Sequence, residues 1–473
     1  MEANEMVIRS TREREVDVAV IGAGTAGLAA FRAASAMTSR ALLVEGGVHG
    51  TTCARVGCMP SKLLIAAAEA AHDARHAQGF GVRATVAVDS RAVMQRVRSE
   101  RDRFVGFVLA GVESIPEEKR LTGRARFVGP GVLDVEGTLV RARAVVLATG
   151  SSPVVPPTFS IPRELLLVND DVFAWEDLPD SIAVIGAGVI GLELGQALHR
   201  LGVRVRILGR GGSVGPLTDP VVTASAAGAL AAELGVDFDT KNLEVRREGD
   251  RVVVRWQASD GEARVESFSY VLAAAGRKPN LAGLDIERAG ISLDERGLLS
   301  ADRATARVGD TNVFLAGDAA AEVPLLHEAI DEGTIAGENA ARFPDVHPRV
   351  RRSPLAIVFT DPQIAVAGES FARLSGRAAD LVTGEVSFEN QGRSRVMRKN
   401  KGAARVYADK ASGRLLGAEM AGPRAEHIGH LLAWAHQQGM TIEAMLAMPF
   451  YHPVIEEGIR TALREASAKL RAA

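Results

Sequence analysis

The clearest pattern in the chain is an apolar segment that leads into a glycine-rich turn. Residues 16–21, Val-Asp-Val-Ala-Val-Ile, are almost wholly apolar, which is typical of a strand buried on both faces of a parallel sheet. A Gly-x-Gly-x-x-Gly turn at residues 22–27 follows, then a helical pattern to about residue 37. A second apolar strand, at residues 41–44, ends at the acidic Glu45. The pattern predicts a strand, a tight turn, a helix and a second parallel strand.

The same plan occurs again in the middle of the chain. A strand at residues 181–185 leads into another Gly-x-Gly-x-x-Gly turn, a helix that ends near Leu201 and a strand at residues 203–208. Glycines at these spacings let backbone N–H groups approach a pyrophosphate, and the N-terminus of the following helix favours its charge. One copy is a weak signal, with an empty tight turn as the alternative, but two copies in this context indicate two dinucleotide sites. The glycines are Gly22, Gly24 and Gly27 in the first turn, and Gly186, Gly188 and Gly191 in the second.

Other apolar segments also run into turns. They lie at residues 144–150, 270–280 and 311–318, and a proline-rich linker at residues 151–157 follows the first of them. From about Phe343 the pattern changes: strands at 356–360 and 403–408 mix with amphipathic helices at 425–438 and 454–471.

These elements predict an α/β fold with two Rossmann-like dinucleotide-binding domains and a C-terminal α+β domain. The first nucleotide domain is predicted to be discontinuous, at residues 1–150 and 275–343, because the second, at 151–274, interrupts it. The C-terminal domain is expected at residues 344–473.

The composition restricts the classes of function. A length of 473 residues, 47% of them apolar, with 48 glycines, fits a soluble α/β protein of several domains. The formal net charge of −2 gives no case for nucleic acid or a charged membrane surface as a partner. No apolar run approaches the roughly 18 residues that span a bilayer, and nothing predicts a metal site. The amino terminus is charged and lacks the apolar stretch of a signal peptide, so a cytoplasmic location is expected.

The chain has two cysteines, Cys53 and Cys58, and the first of them follows Glu45 by eight residues. On a regular α-helix, Cα atoms of residues five apart are ~8–9 Å apart, whereas a disulfide tolerates about 7 Å at most. If the pair bridges, the helix must be interrupted between them, and Gly57 supplies the local freedom. The position after the first turn favours a redox pair beside a dinucleotide; two buried, inert thiols are the alternative.

Taken together, the motifs resemble those of the flavin-dependent pyridine nucleotide–disulfide oxidoreductases, which include dihydrolipoyl dehydrogenase, glutathione reductase and mercuric reductase. The resemblance covers about residues 16–464. The motifs that carry it are the first turn with Glu45, C-x4-C-x-P-S-K at 53–62, Ala148-Thr149-Gly150, the second turn, Gly276-Arg277-x-Pro279-Asn280, Gly317-Asp318, and His452-Pro453 with Glu457. It implies FAD in the first nucleotide domain, NAD or NADP in the second, and a homodimer with composite active sites.

The resemblance also implies roles for the residues that would hold the cofactors. Gly22, Gly24 and Gly27 would cradle the FAD pyrophosphate, and Glu45 would bind the adenosine ribose. An acid about twenty residues past such a turn also suits a ribose diol on chemical grounds alone. Asp318 would hold the flavin side of FAD. Thr149, Gly150, Gly276, Arg277 and Gly317 are the other residues that the family motifs place at the cofactors.

In the second turn, Gly186, Gly188 and Gly191 would take the pyrophosphate of NAD or NADP. The strand that follows ends in Gly209-Arg210, and glycine stands where an NAD-specific relative would show a carboxylate. Because an arginine nearby accommodates a 2′-phosphate, the sequence leans towards NADP, with Arg210 as the candidate residue.

The catalytic roles come from the resemblance alone. Cys58 would form the charge-transfer thiolate nearer the flavin, and Cys53 would exchange with the sulfur of the substrate. His452 would move protons to and from Cys53 and the substrate across the dimer, with Glu457 orienting its imidazole.

Lys62 would pair with Glu193 near the flavin ring, where hydride arrives from the nicotinamide. Read without the family, both residues would be solvated charges on helices.

Within the family, the cysteine count excludes a second redox pair at the carboxyl terminus, as in mercuric reductase or the larger thioredoxin reductases. The second turn resembles that of dihydrolipoyl dehydrogenase, since glutathione reductase would carry tyrosine at Val189. The expected reaction is therefore the oxidation of dihydrolipoamide with reduction of NAD(P)+.

Three departures from the family pattern lie where a disulfide substrate would enter. Thr51 stands where glycine is usual, Ala54-Arg55 replaces Leu-Asn between the cysteines, and Phe450-Tyr451 precede the predicted histidine. Arg55 would make the pair more oxidising if it lay near the thiols, and would be a surface charge if it pointed to solvent. The open alternatives are an NADPH-dependent reductase of another small disulfide, a flavoprotein anchored to a multienzyme complex with a lipoyl domain as partner, and a redox sensor.

Overall fold

The structure, a computed structural model, describes residues 12–472. Residues 1–11 and Ala473 lie outside the described residues. They were predicted to belong to the first and last domains. Residues 1–11 also make up most of the amino-terminal segment that was predicted not to be a signal peptide. The strands are β1 (Arg12–Ile21), β2 (Ala41–Glu45), β3 (Arg120–Thr122), β4 (Ala125–Gly129), β5 (Val132–Val135), β6 (Thr138–Leu147), β7 (Ser151–Pro153), β8 (Leu166–Leu167), β9 (Ser181–Ile185), β10 (Arg204–Leu208), β11 (Val236–Asp237), β12 (Lys241–Glu248), β13 (Arg251–Gln257), β14 (Ala263–Phe268), β15 (Tyr270–Ala273), β16 (Arg277–Pro279), β17 (Val313–Leu315), β18 (Leu355–Val358), β19 (Gln363–Gly368), β20 (Leu381–Ser387), β21 (Ala403–Asp409) and β22 (Leu415–Gly422). The helices are α1 (Thr25–Ser35), α2 (Thr52–Val56), α3 (Cys58–His76), α4 (Ser90–Glu113), α5 (Asn169–Val172), α6 (Val189–Arg200), α7 (Pro220–Ala231), α8 (Leu326–Arg342), α9 (Phe371–Leu374), α10 (Gly392–Val396), α11 (Ala425–Gln437), α12 (Ile442–Leu446) and α13 (Glu456–Ala472).

The chain divides into two compact units, each built from separate segments. Within the described residues, the first unit comprises the chain up to residue 60, residues 99–153 and residues 277–351. The second comprises residues 61–98, residues 154–276 and the chain from residue 352 onwards. The α/β class is confirmed, while the finer division into three domains remains a prediction.

The first unit is built on a mixed sheet of order β3-β2-β1-β6-β5-β4, with β17 beside β6. β1, β2, β3, β6 and β17 run parallel, and β4 and β5 are antiparallel additions. Val18 and Val20 face one apolar cluster while Ala19 and Ile21 face another, so the end of β1 is buried on both faces as predicted. The strand begins earlier than the predicted residue 16, at Arg12, because residues 12–16 also pair with β6. The predicted linker begins with a strand instead, because β7 pairs with β16.

The second unit contains three sheets. One is wholly parallel, in the order β11-β10-β9-β15-β8, and every residue of β9 is buried. An antiparallel sheet of β12, β13 and β14 was not predicted; β12, its first strand, carries many charged, exposed residues. The third sheet, β18-β19-β22-β21-β20, is antiparallel, and α11 and α13 pack on it over a shared apolar core.

The described helices include none with both the length and the apolar character needed to cross a membrane.

Candidate active site

The first glycine-rich turn has no room for a side chain at Gly22 or at Gly27. Gly22 has a φ of +106°, and a Cβ there would lie 2.3 Å from Ala148 O. A Cβ on Gly27 would lie 1.8 Å from Gly22 O, so α1 packs directly against the turn. At Gly24 nothing lies within 4 Å of the Cβ position, and α1 begins at the next residue. The backbone is therefore open beside a helix N-terminus, as a bound pyrophosphate requires.

Glu45 closes one side of this turn. One carboxylate oxygen accepts the N–H of Ala23 at 2.6 Å, and the other accepts the N–H of Gly47 at 2.7 Å. Two backbone donors thus fix the carboxylate at the end of β2, in the position that suits a ribose diol.

Segments far apart in sequence meet near the end of β6. Ser151 Oγ donates to Asp318 Oδ2 at 2.6 Å, and Arg277 Nε donates to the same hydroxyl at 2.8 Å. Asn280 Nδ2 donates to Thr149 O at 3.0 Å, while Thr149 Oγ1 is buried with no hydrogen-bond partner among the described residues. A buried hydroxyl left without a partner is costly, so these residues fit a polar group that the chain itself does not supply. Together with the open turn and Glu45, they fit FAD.

Three more predicted cofactor residues follow strands: Gly150 follows β6, Gly317 follows β17 and Gly276 follows β15. Gly150 O accepts the N–H of Asn280 at 3.0 Å, and the N–H of Gly317 donates to Glu332 Oε2 at 2.8 Å. Gly276 has a φ of +109°, a conformation that glycine adopts without strain.

The cysteines lie on two different helices. Cys53 is in α2, half-buried, and Cys58 is the first residue of α3 and is exposed. The break falls at Gly57, where a Cβ would lie 3.0 Å from Thr52 O and 3.2 Å from Cys53 Cα. The predicted interruption of the helix at Gly57 is therefore present. The disulfide itself remains a prediction.

The residues that depart from the family pattern have defined contacts. Thr51 caps α2 with φ +57° and ψ +149°, and its hydroxyl accepts the N–H of Ala54 at 3.3 Å. Such a backbone is strained for a β-branched residue and natural for glycine. Arg55 is half-buried, and its guanidinium donates to Val48 O at 3.2 Å. Arg55 is thus only partly exposed to solvent, and its effect on the cysteine pair remains a prediction.

Lys62 and Glu193 form the predicted pair. Lys62 Nζ donates to Glu193 Oε2 at 2.7 Å, and the glutamate side chain is only 4% exposed. The other glutamate oxygen accepts the N–H of Phe359 at 2.9 Å, and Lys62 Nζ lies 4.7 Å from the centre of the Phe359 ring. Neither residue is a solvated helix charge, because both are held by the segment that follows β18.

A group of charged and polar residues, the Arg200 cluster (Gln196, Arg200, Glu233 and Asp361), supports that segment. Arg200, whose side chain is 5% exposed, pairs with Glu233 at 2.5 Å and with Asp361 at 3.2 Å. Gln196 Nε2 donates to Asp361 O at 2.9 Å, and Asp361 N–H donates back to Gln196 Oε1 at 2.8 Å. Burial raises the pKa of Glu233, but Arg200, His72 and Gln196 together outweigh burial and lower it. Burial and the charge of Arg200 lower the pKa of the adjacent His72 to about 4.

His452 and Glu457 also form the predicted pair. His452 Nδ1 lies 3.0 Å from Glu457 Oε2, and Glu457 is in the first turn of α13. The histidine is 80% exposed, and its bond to Pro453 is cis, an arrangement the sequence allowed. The hydrogen bond with His452 lowers the pKa of Glu457, so this carboxylate keeps its charge. The cysteines and His452 belong to different compact units.

The second glycine-rich turn repeats the geometry of the first. Gly186 has a φ of +122°, with its Cβ position 2.3 Å from Ala274 O. The Cβ position of Gly191 lies 1.9 Å from Gly186 O, whereas Gly188 has nothing within 4 Å and α6 begins immediately after it. Beyond β10, Arg210 is exposed. This turn fits a second dinucleotide.

Three parts of this arrangement were missed by the sequence analysis. They are the contact of Phe359 with Lys62, the Arg200 cluster, and a contact between Asp239 and the loop after β10, where Gly211 N–H donates to Asp239 Oδ1 at 2.9 Å. Each joins residues at least 28 positions apart, and no local pattern in the chain marks them.

Comparisons with known proteins match both parts of the chain. Residues 16–333 match the family model described as pyridine nucleotide-disulphide oxidoreductase, and residues 355–463 match the dimerisation domain of the same family.

Curated relatives match over nearly the full length. The dihydrolipoyl dehydrogenase of Haloferax volcanii is 31% identical, over 95% of this chain and 96% of its own. That of Thermus scotoductus is 31% identical, over 94% of this chain and 96% of its own.

Solved structures share the fold. LpdA from Mycobacterium tuberculosis has a TM-score of 0.80 and 25% identity, covering 95% of this chain and 99% of its own. The HOCl-induced flavoprotein disulfide reductase RclA from Escherichia coli has a TM-score of 0.78 and 22% identity over the same shares. With two nucleotide turns, a cysteine pair after the first and a matching dimerisation domain, the chain belongs to the pyridine nucleotide-disulphide oxidoreductase family, whose members are FAD- and NAD(P)-dependent.

Proposed function

We propose that this flavoprotein disulfide oxidoreductase is a dihydrolipoyl dehydrogenase, which oxidises dihydrolipoamide and reduces NAD(P)+. The observation that carries the proposal is the cysteine pair divided between α2 and α3, the two helices that follow β2 and its last residue Glu45. Full-length similarity to dihydrolipoyl dehydrogenases at about 30% identity supports it.

FAD would be held by the first turn, by Glu45, and by the group of Thr149, Ser151, Arg277 and Asp318. When bound, FAD supplies a two-electron carrier between a dithiol and a nicotinamide.

In the proposed reaction, the thiolate of dihydrolipoamide attacks the sulfur of Cys53 in a Cys53–Cys58 disulfide. The S–S bond breaks, Cys58 leaves as a thiolate, and the second substrate thiolate then attacks the mixed disulfide and releases Cys53. Lipoamide leaves oxidised by two electrons, the two cysteines are reduced, and the electron pair passes on to NAD(P)+. Cys58, at the N-terminus of the 19-residue α3, gains stability as a thiolate from the helix dipole.

His452 would accept the protons that leave the substrate thiols. Glu457 holds Nδ1 of the imidazole, which leaves Nε2 to act as the base. Because His452 is 80% exposed in the single chain, it would act in the partner subunit of a homodimer.

Lys62 and Glu193 would flank the flavin. Their contacts with Phe359 hold the ammonium and the carboxylate in one arrangement, so charge that develops near them meets fixed groups. A lipoyl domain of a multienzyme complex is proposed to carry the substrate. The cytoplasm is the proposed location. The preference for NADP that Arg210 suggests remains a prediction.

The test is steady-state turnover of the holoenzyme with lipoamide, oxidised glutathione and a dye acceptor. We expect lipoamide to be the preferred disulfide, and Cys53→Ser and Cys58→Ser to abolish that activity while dye reduction by NAD(P)H continues. Thr461→Ser, an exposed hydroxyl in α13, is a control for handling and folding. Lipoamide turnover that survives both cysteine changes would contradict the proposal.

A second candidate is an NADPH-dependent reductase of another small disulfide. Thr51, Arg55 and the 80% exposed Tyr451 favour it, since these residues change the predicted substrate entrance. Turnover of oxidised glutathione or another disulfide above that of lipoamide would select this candidate.

A further inference from the structure

The two nucleotide turns can be compared residue by residue. Glu45 follows Gly22 by 23 residues, and Gly209 follows Gly186 by 23 residues. In both turns the N–H of the first glycine donates, at 2.8 Å, to the carbonyl of the residue that precedes Glu45 or Gly209. Gly209 is therefore the structural equivalent of Glu45, and the second turn has no acid at this position.

A carboxylate nevertheless makes the equivalent contact. In the first turn, the carboxylate of Glu45 accepts the N–H of Gly47, two residues further along, at 2.7 Å. In the second turn, the N–H of Gly211, two residues after Gly209, donates to Asp239 Oδ1 at 2.9 Å. Asp239 thus makes, for the second loop, one of the two backbone contacts that Glu45 makes for the first.

The chain segment of Asp239 also fills the space of the missing side chain. A Cβ on Gly209 would lie 2.9 Å from Phe238 O and 3.2 Å from Phe238 Cα. The next residue but one, Thr240, fastens the segment, since its N–H and its hydroxyl donate to Gly209 O at 2.9 Å and 2.6 Å. Asp239 lies between Phe238 and Thr240, two residues after β11 and against the loop that follows β10.

We propose that Asp239 is the residue that discriminates between the two nicotinamide nucleotides, by presenting a carboxylate to the ribose 2′-hydroxyl. The proposal rests on the proposed function, which assigns the second turn to NAD(P). A carboxylate accepts a hydrogen bond from the 2′-hydroxyl of NAD and repels the 2′-phosphate of NADP. The preference is then for NAD(H), and the lean towards NADP that Arg210 alone suggests is reversed.

The competing role for Asp239 is that of a loop clamp, which needs only an oxygen acceptor for Gly211 N–H. Asparagine keeps that oxygen and removes the charge, so Asp239→Asn separates the two roles. Asp250→Asn is the matched control, because Asp250 is an exposed acid of the same compact unit in the turn between β12 and β13.

The first measurement is kcat/KM for dye reduction by NADH and by NADPH, with the FAD-loaded protein. We expect wild type to prefer NADH and Asp239→Asn to move the ratio towards NADPH by about tenfold or more, with Asp250→Asn unchanged. An unchanged ratio in Asp239→Asn, or a ratio that moves only in Arg210→Met, would overturn the proposal.

The second measurement is calorimetric binding of NAD+ and NADP+ to the oxidised holoenzyme, which needs no disulfide substrate and no turnover. Tighter binding of NAD+ in wild type, with NADP+ gaining in Asp239→Asn, supports the proposal, and tighter NADP+ binding in wild type refutes it. Binding of neither nucleotide would instead refute the assignment of the second turn, and with it the proposed function.

Discussion

Glu193 Oε2 accepts a hydrogen bond from Lys62 Nζ at 2.7 Å, although 131 positions separate the two residues in the chain. The other glutamate oxygen is bonded to Phe359 N–H, so the carboxylate is satisfied on both sides while its side chain is almost fully buried. The pair is therefore set by α3, α6 and the segment after β18 together.

Glu193→Gln should cost stability because it leaves the Lys62 ammonium, 33% exposed, without its counter-charge. We expect the free energy of unfolding to fall by about 1–3 kcal/mol, less than for a fully buried pair because water still reaches the lysine. The measurement is urea unfolding of the holoenzyme. Glu244→Gln breaks an exposed pair with Arg246 and should change stability by about 0–1 kcal/mol. Equal losses in both variants would contradict the buried role of Glu193.

His452→Gln should slow the half-reaction with dihydrolipoamide by about 10²–10⁴-fold, since general acid–base groups contribute that much. Dye reduction by NAD(P)H should be largely spared, because it does not use the dithiol. The measurement is rapid-mixing kinetics of each half-reaction, with His430→Gln, an exposed histidine of α11, as the control. Mixed dimers of Cys53→Ser and His452→Gln chains should recover part of the activity. No recovery would contradict a composite site.

Thr51→Gly should leave the protein at least as stable as wild type, since glycine adopts the backbone at φ +57° and ψ +149° without strain. Thr51→Ala keeps the strain and loses the cap on Ala54 N–H, so it should be less stable than Thr51→Gly by about 1–2 kcal/mol. Denaturant midpoints of the variants measure the difference. Thr52→Gly, the same change at the next residue within α2, should be destabilising. An alanine variant as stable as the glycine variant would contradict the strain at Thr51.

His72→Gln should reduce the loss of stability in mild acid. The folded-state pKa of His72 is about 4, below the ordinary 6.5, because burial and Arg200 oppose its charge. Between these pH values the unfolded chain binds a proton that the folded chain does not. This contribution to stability is present above pH 6.5 and is lost as the pH falls towards 4.

The test of that prediction compares unfolding free energies at pH 7 and pH 4.5 in wild type and variant. His430→Gln, which removes an exposed histidine of α11, is the control for the loss of a histidine. If His72→Gln lost as much stability between the two pH values as wild type, the protonation of His72 would not explain the effect.

The sequence predicts the parallel strands and both nucleotide turns because their signals are local. The last four residues of β1 and all five residues of β9 are buried, and the glycines that follow them are required by contacts within their own turns. The helix predicted at residues 454–471 begins two residues later than predicted. α13 begins at Glu456, because the side chain of Glu457 accepts the N–H of Val454.

The rest depended on packing between distant segments. Phe359 lies beside Lys62 with its N–H bonded to Glu193, and Arg200 and Gln196 hold Asp361 two residues further on. Nothing in the residues around Phe359 signals these contacts. The contact of Asp239 with Gly211 N–H is equally unmarked, since it joins residues 28 positions apart. The residues of family motifs could therefore be predicted, and the residues held by contacts from a distant segment could not.

The matching distances in the two glycine-rich turns have a consequence for how the protein can be dissected. In each turn the last glycine rests on the carbonyl of the first, with Cβ positions 1.8 Å and 1.9 Å from that oxygen. A single added methyl group at Gly27 or at Gly191 is therefore enough to disrupt one turn, and each lies in a different compact unit. Under the proposed function, Gly27→Ala and Gly191→Ala would each disable one nucleotide site and leave the other turn intact.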